Sequence, residues 1–311
     1  MKFKEWTIAI TLGLVLGWYF LNPRSDSPPR AETPIQVKPS PDVNVAPEAP
    51  RPNPPEKALP SPTAAPVVTV EPVQKADEPK PPPEGHLAFE IREGMAITQG
   101  DIVLGKLNEG QPKVEKGITA AKRTKLWESA QIPYSIQPGV TNRAAIEAAI
   151  QQFQTQTNVR FVPYNGQADS LVFVKAEELC ASYLGRVGGA QPIYLSAKCG
   201  SYEVMHELMH ALGFVHEHSR PDRDQYIDVV WNNIDPQFWP QFWVIPDDLI
   251  HEYVGSVFSF DAQSMMLYDS TAFAKQPGTV TLKAKGNLEL QPSKTTFSRV
   301  DRERLFYLYG R

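Results

Sequence analysis

From about Trp127 to the C-terminus, apolar and polar positions recur with the periods of folded elements. SIQPGVTNRAAIEAAIQQFQTQTNVRFVPY reads as strand, turn, helix and strand. Ile146, Ala149, Ile150 and Phe153 recur at helical spacing and predict a stripe that faces the core. SLVFVK and PIYLS each predict a short strand, and SYEVMHELMHALGF predicts a helix ended by Gly213. From 225 to 262 the chain is rich in Trp, Phe and Pro without a clean period, which predicts long loops and short helical turns. Ser298 with Asp301 three residues on forms a capping box that opens a last helix, RVDRERLFYLYG, closing on Gly310. There is no internal repeat.

The pattern changes before this region. Residues 86 to 121 carry short apolar runs broken by Gly, too short to support a core of their own. They predict a strand-rich piece or an arm laid on the main domain. Residues 23 to 84 hold Pro, Ser, Ala, Glu and Lys with few aromatics, so they cannot bury enough apolar area to offset the entropy of ordering. An extended, semi-stiff spacer is expected there. Lys2 and Lys4 precede an apolar run from Trp6 to Leu21, so residues 1 to 22 read as a signal peptide or a short signal anchor. The lack of a small-residue cleavage site favours an uncleaved anchor, with the rest of the chain outside the cytoplasm. The organisation is thus 1–22 signal or anchor, 23–84 linker, 85–123 arm and 124–311 globular domain.

Composition narrows the function classes. The 311 residues include 30 prolines, roughly twice the usual share, and the net charge is −4. With no basic run or basic helix, nucleic acid is not expected as a partner. Cys180 and Cys199 are the two cysteines, and in an exported chain such a pair suggests one disulfide. A monomer is expected.

The chemistry concentrates in HELMHALGFVHEHSRPDRD, residues 206 to 224. His206 and His210, four apart on a helix, point from one face and can chelate a single ion. Glu207 beside the first ligand can reach a water on the metal. Gly213 lets the chain leave the helix abruptly, so that His216 can return as a third ligand. Three imidazoles leave a coordination position open, as a catalytic zinc requires, whereas a structural site more often takes four protein ligands.

This stretch resembles the signature of the astacin family of zinc metallopeptidases, within the metzincins, and meets HExxHxxGFxHExxRxDRD at every fixed position. The resemblance spans about 124 to 311. It implies an α+β fold of two lobes, with a twisted mixed sheet, an active-site helix and a Met-turn. QSMMLYDS resembles that turn: Met266 takes the methionine place and Tyr268 the place of a switchable ligand that stabilises the oxyanion. Leu267 stands where the family has a His that is not a ligand. Glu217 matches a carboxylate that in the family holds the freed N-terminus; the alternative is an ordinary surface carboxylate. Cys180 and Cys199 fit one family bridge. The second is missing, with Asn158 at one of its positions and no Cys near the C-terminus, which implies a less tightly fastened terminus.

TQGD resembles the zymogen segment whose Asp blocks the metal. Thr98 replaces the usual Phe, and Asp101 would be the blocking ligand; a Gly-Asp pair also suits a plain turn. Lys122-Arg123 is a candidate activation site. The resemblance implies one catalytic Zn2+ held by His206, His210 and His216, with Tyr268 and Asp101 as further ligands and Glu207 and Tyr268 as catalytic groups. It also implies an extended peptide as substrate, paired to an edge strand placed near GGAQPIYLS. The alternatives are a hydrolase of cell-wall peptide crosslinks and a binding protein with an inert metal.

Overall fold

The structure is a computed structural model that describes residues 87–106, 124–246 and 258–310. The apolar N-terminal segment, the proline-rich stretch and Lys122-Arg123 lie outside the described residues, as do the membrane and linker expectations that rest on them. Among the described residues no helix is long and apolar enough to cross a membrane.

The class is α+β, as the resemblance implies. Among the described residues, eight strands form one mixed sheet in the order β1 (Glu90–Arg92), β2 (Met95–Thr98), β3 (Ile102–Lys106), β7 (Cys180–Tyr183), β8 (Ala190–Leu195), β6 (Ser170–Lys175), β4 (Gln131–Ile136), β5 (Arg160–Pro163). Its parallel half consists of β4 (Gln131–Ile136), β5 (Arg160–Pro163), β6 (Ser170–Lys175) and β8 (Ala190–Leu195). Helix α1 (Arg143–Gln156) connects β4 to β5 and buries the predicted stripe of Ile146, Ala149, Ile150 and Phe153. That stripe packs with Val204, Leu208 and Met209 of α2 (Ser201–Ala211) and with Phe161, Leu171 and Ile193 of the sheet. Fully burying a side chain such as Phe153 is worth roughly 1.5–3 kcal/mol. Asn142, ahead of α1, donates through Nδ2 to the carbonyls of Ser196 and Cys199 at 3.0 and 2.7 Å. It thereby ties the start of α1 to the turn that leads into α2.

The strand predicted from PIYLS exists, but it is not the edge over the cleft. β8 is paired on both sides, parallel to β6 and antiparallel to β7 (Cys180–Tyr183). The strand beyond it, which the arm pairs with, is β7. Its CASY sequence is short and small, so it carries almost no periodic signal. The disulfide Cys180–Cys199 forms, with Cα atoms 6.0 Å apart, and ties β7 to the turn ahead of α2.

The arm is both strand-rich and laid on the domain. β1 (Glu90–Arg92) and β2 (Met95–Thr98) make a hairpin, and β3 (Ile102–Lys106) pairs antiparallel with β2 and parallel with β7. Met95, Ile97 and Val103 pack on Ala176, Leu179, Ala181 and Tyr194.

Gly213 ends α2 with φ +99°, where a Cβ would meet Leu126 Cδ2 at 2.8 Å. Beyond it the chain is loop-rich, as predicted, with single 3-10 turns at Glu217–Ser219, Arg223–Gln225 and Trp231–Asn233 and a longer one at Pro236–Phe242. This second region has its own apolar cluster of Ile227, Ile234, Phe242, Leu267 and Leu282, and a two-stranded sheet of β9 (Ile227–Val229) and β10 (Leu282–Ala284). The predicted capping box is present. Ser298 Oγ accepts from Asp301 N at 2.8 Å and Asp301 Oδ2 accepts from Ser298 N at 3.0 Å, opening α3 (Arg299–Tyr309).

Without a second disulfide, α3 is held by Leu305 and Tyr309, which join the main core, and by polar contacts. Tyr309 donates to the Leu212 carbonyl at 2.8 Å, and Arg304 forms a buried ion pair with Glu217.

Candidate metal centre

The helical spacing works as expected. His206 and His210 leave α2 on one face, and the turn at Gly213 brings His216 back beside them. All three are buried. With Asp101 they form the one group of three or more metal-ligating side chains among the described residues, one atom from each lying within 4.8 Å of the others. The Asp101 carboxylate stands 3.3 Å from the Nε2 of each histidine.

The hydrogen bonds behind the rings set the tautomers. His206 Nδ1 donates to the Met265 carbonyl at 3.2 Å, His210 Nδ1 to the Phe214 carbonyl at 2.7 Å and His216 Nδ1 to Gln99 Oε1 at 3.3 Å. Each Nδ1 therefore carries the proton and each Nε2 presents a lone pair. The Nε2 atoms of His206 and His216 face each other at 3.0 Å, an arrangement that repels unless a cation lies between. His210 Nε2 and Asp101 Oδ1 are buried without a hydrogen-bond partner. Burial also favours the neutral form of two of the rings, lowering His206 and bringing His216 down to about 4. Three neutral imidazoles and a carboxylate fit one zinc ion.

Glu207 is 2% exposed, and its Oε2 has no hydrogen-bond partner. Burial pushes its carboxyl well above the usual carboxylate range, and the charges of Asp101 and Glu203 push the same way. It lines a cavity of about 300 Å³ together with His206, Tyr202, Glu203, Tyr268 and Lys294. Tyr268 donates its hydroxyl to the Gln99 carbonyl at 2.8 Å. Its ring stacks on His218 with centroids 3.8 Å apart. Met266 is fully buried, and its carbonyl accepts from Glu217 N at 2.9 Å.

Glu217 is no surface carboxylate. It is 2% exposed and takes Arg304 on Oε1 and the Asp261 amide on Oε2 at 2.9 Å.

Two contributors were not singled out from the sequence. Gln99 sits inside TQGD, beside the residue that was. Its Nε2 donates to the Trp243 carbonyl at 2.9 Å, which orients Oε1 toward His216. His218 lies within the signature, at a position the pattern leaves free. Gly100 allows the close approach of the arm: at φ +90°, a Cβ there would meet Gln241 Oε1 at 3.0 Å and the Tyr268 hydroxyl at 3.3 Å.

Comparison with known proteins agrees with this geometry. The family model for the astacin peptidases matches residues 119–310. The chain belongs to the astacin family. Its α+β fold, with a mixed sheet and helices flanking the His/Asp cluster, is accordingly metzincin-like. Among astacin-family relatives, the zinc metalloproteinase nas-7 of Caenorhabditis elegans is 35% identical over 202 residues, 64% of this chain and 52% of nas-7. Zinc metalloproteinase nas-4 of the same organism is 32% identical over 72% of this chain and 73% of nas-4. The chain thus spans about half the length of the first of these relatives. The solved structure of high choriolytic enzyme 1, a hatching-enzyme zinc-protease of the medaka fish Oryzias latipes, superposes with a TM-score of 0.52 at 30% identity, covering 63% of this chain and 98% of that one.

Proposed function

We propose that the protein is a zinc-dependent endopeptidase that cuts extended segments of extracytoplasmic proteins, made with an arm that keeps it latent. The observation that carries this reading is the convergence of three Nε2 lone pairs on one point, beside a buried carboxylate whose Oε2 has no hydrogen-bond partner. When bound there, zinc supplies Lewis-acid polarisation of the scissile carbonyl and acidifies an attacking water. His206, His210 and His216 hold it. Glu207, whose raised proton affinity suits a general base, takes the proton from water and passes it to the leaving amine. Tyr268 keeps its proton, because burial pushes the phenol well above its usual range. It is therefore a hydrogen-bond donor for the developing oxyanion. β7 offers main-chain groups to a substrate strand.

In the uncut chain each of these functions is occupied. Asp101 takes the ligand place that a water needs, Gln99 takes the Tyr268 hydroxyl, and β3 takes the edge of β7. This supports the reading of residues 85–123 as an inhibitory arm and Asp101 as its blocking ligand. The Cys180–Cys199 disulfide supports a location outside the cytoplasm.

The test is zinc content and casein hydrolysis of the full chain, before and after a protease cuts between residues 107 and 123. One zinc in both forms, with casein cleaved only after the cut, is expected. A cut, zinc-loaded protein that leaves casein intact but opens peptide crosslinks of a cell wall would replace this reading with the crosslink hydrolase. If it cleaves neither, the metal-bound binding protein stands.

A further inference from the structure

We infer that an aliphatic pocket formed by Leu184, Val215 and Ile245 beside the metal centre selects substrates carrying a branched apolar side chain within two residues on the amino side of the cut bond. The inference rests on the peptidase reading and narrows its substrate class.

The arm reveals the pocket by filling it. Asp101 reaches the histidines, and the next residue, Ile102, is 2% exposed. Ile102 packs with Leu87 and Leu104 of the arm against Leu184, Val215 and Ile245. These three come from separate parts of the domain: the chain after β7, the loop between Gly213 and His216, and the loop after the 3-10 turn that ends at Phe242. Val215 and Ile245 are 4% and 1% exposed with the arm in place. Along β3 the side chains alternate as a strand requires: Ile102 and Leu104 meet this pocket, while Val103 packs with Ala181 and Tyr194. Any strand that pairs with β7 across the metal centre must likewise place a side chain over Leu184, Val215 and Ile245.

Direction follows from the pairing. β3 runs parallel to β7, the slightly weaker arrangement. A substrate that uses the stronger antiparallel ladder runs opposite to the arm. The place held by Ile102, on the carboxyl side of Asp101, then falls to a residue on the amino side of the scissile bond. An apolar pocket left bare by removal of the arm discriminates by about tenfold or more between aliphatic and polar side chains.

The experiment takes the full chain, folded with zinc and cut between residues 107 and 123, and profiles its cleavage of a peptide library made from denatured proteins. Enrichment of Val, Ile or Leu within two residues on the amino side is expected. A quenched peptide carrying Val there should lose about tenfold in kcat/KM when that residue becomes Ser. Leu184→Glu should move the profile toward Lys and Arg at the same position, a gain that misfolding cannot imitate.

A second measurement needs no catalysis: binding of the synthetic arm peptide MAITQGDIVLGK to the cut Glu207→Gln protein. The peptide with Ser in place of Ile102 should bind about tenfold more weakly. Side-chain-dependent binding without cleavage of any peptide would sink the peptidase reading and leave the pocket's selectivity standing. Cleavage with a flat profile on the amino side, or one that Leu184→Glu leaves unchanged, overturns the pocket and leaves the peptidase.

Discussion

Helix α2 and the arm bring donors to the same point by opposite means. In α2 the pair His206 and His210 is set by helix geometry alone, since residues four apart share a face. In the arm, Asp101 and Gln99 arrive from a distant part of the chain; Gln99 and His216 are 117 positions apart. Strand pairing of β3 with β7 and two apolar clusters hold them there. The helical ligands therefore persist whenever the domain is folded. The arm's ligand persists only while the strand stays docked. The proposed latency needs that asymmetry, because such a block must be removable without loss of the metal.

The comparison breaks most sharply at the chemistry of α2. In the cut protein, Glu207→Gln is expected to lower kcat by on the order of 10²–10⁴-fold with zinc content unchanged. Loss of zinc in that variant would instead make Glu207 part of the metal's support. Next comes the link between the two regions. Replacing both Cys180 and Cys199 with Ser removes a bridge across 19 positions and should cost about 3 kcal/mol, read as a lower melting temperature. Because the bridge anchors β7, the arm should also become more sensitive to proteolysis while the helical ligands still bind zinc.

Smaller effects sharpen the arm itself. Asp101→Asn keeps the shape but removes the charge at the metal. The uncut chain should then hydrolyse casein about ten to a hundredfold faster than the parent, the scale of a charged hydrogen bond. The cut protein should be unaffected. Gln99→Ala removes the contacts to His216 and the Trp243 carbonyl but leaves Asp101 in place. A net loss of about 1 kcal/mol of docking should raise basal activity only about fivefold. If Gln99→Ala equals or exceeds Asp101→Asn, the arm is held by its hydrogen bonds and not by its ligand.

Legibility followed the range of the interaction. Helix α1, its buried stripe and the Ser298–Asp301 box were readable because each depends on residues within a turn or two. β6 appeared where SLVFVK predicts it. The edge strand was misplaced onto β8, because Ala190–Leu195 carries the apolar signal of a strand and Cys180–Tyr183 does not. A central strand advertises itself by its burial, whereas a short edge strand is defined by what it pairs with. β9 and β10 escaped for the same reason, being three residues each and stable only through mutual pairing. The role of Glu217 also needed the structure. Its charge is met by Arg304, a residue on a helix 87 positions away.

The sequence by itself determined the metal ligands in α2, the carboxylate beside them, the turn that returns His216, the disulfide partners and the main core. Each is a matter of spacing, local geometry or a single available partner. Only the tertiary structure decided that β7 is the strand the arm pairs with, that Gln99 and Asp101 fill the site together, and that Ile102 packs on Leu184, Val215 and Ile245. Those facts depend on which strands lie side by side. Pairing is a choice among distant segments, made by the total burial and hydrogen bonding of the folded chain rather than by any stretch of it.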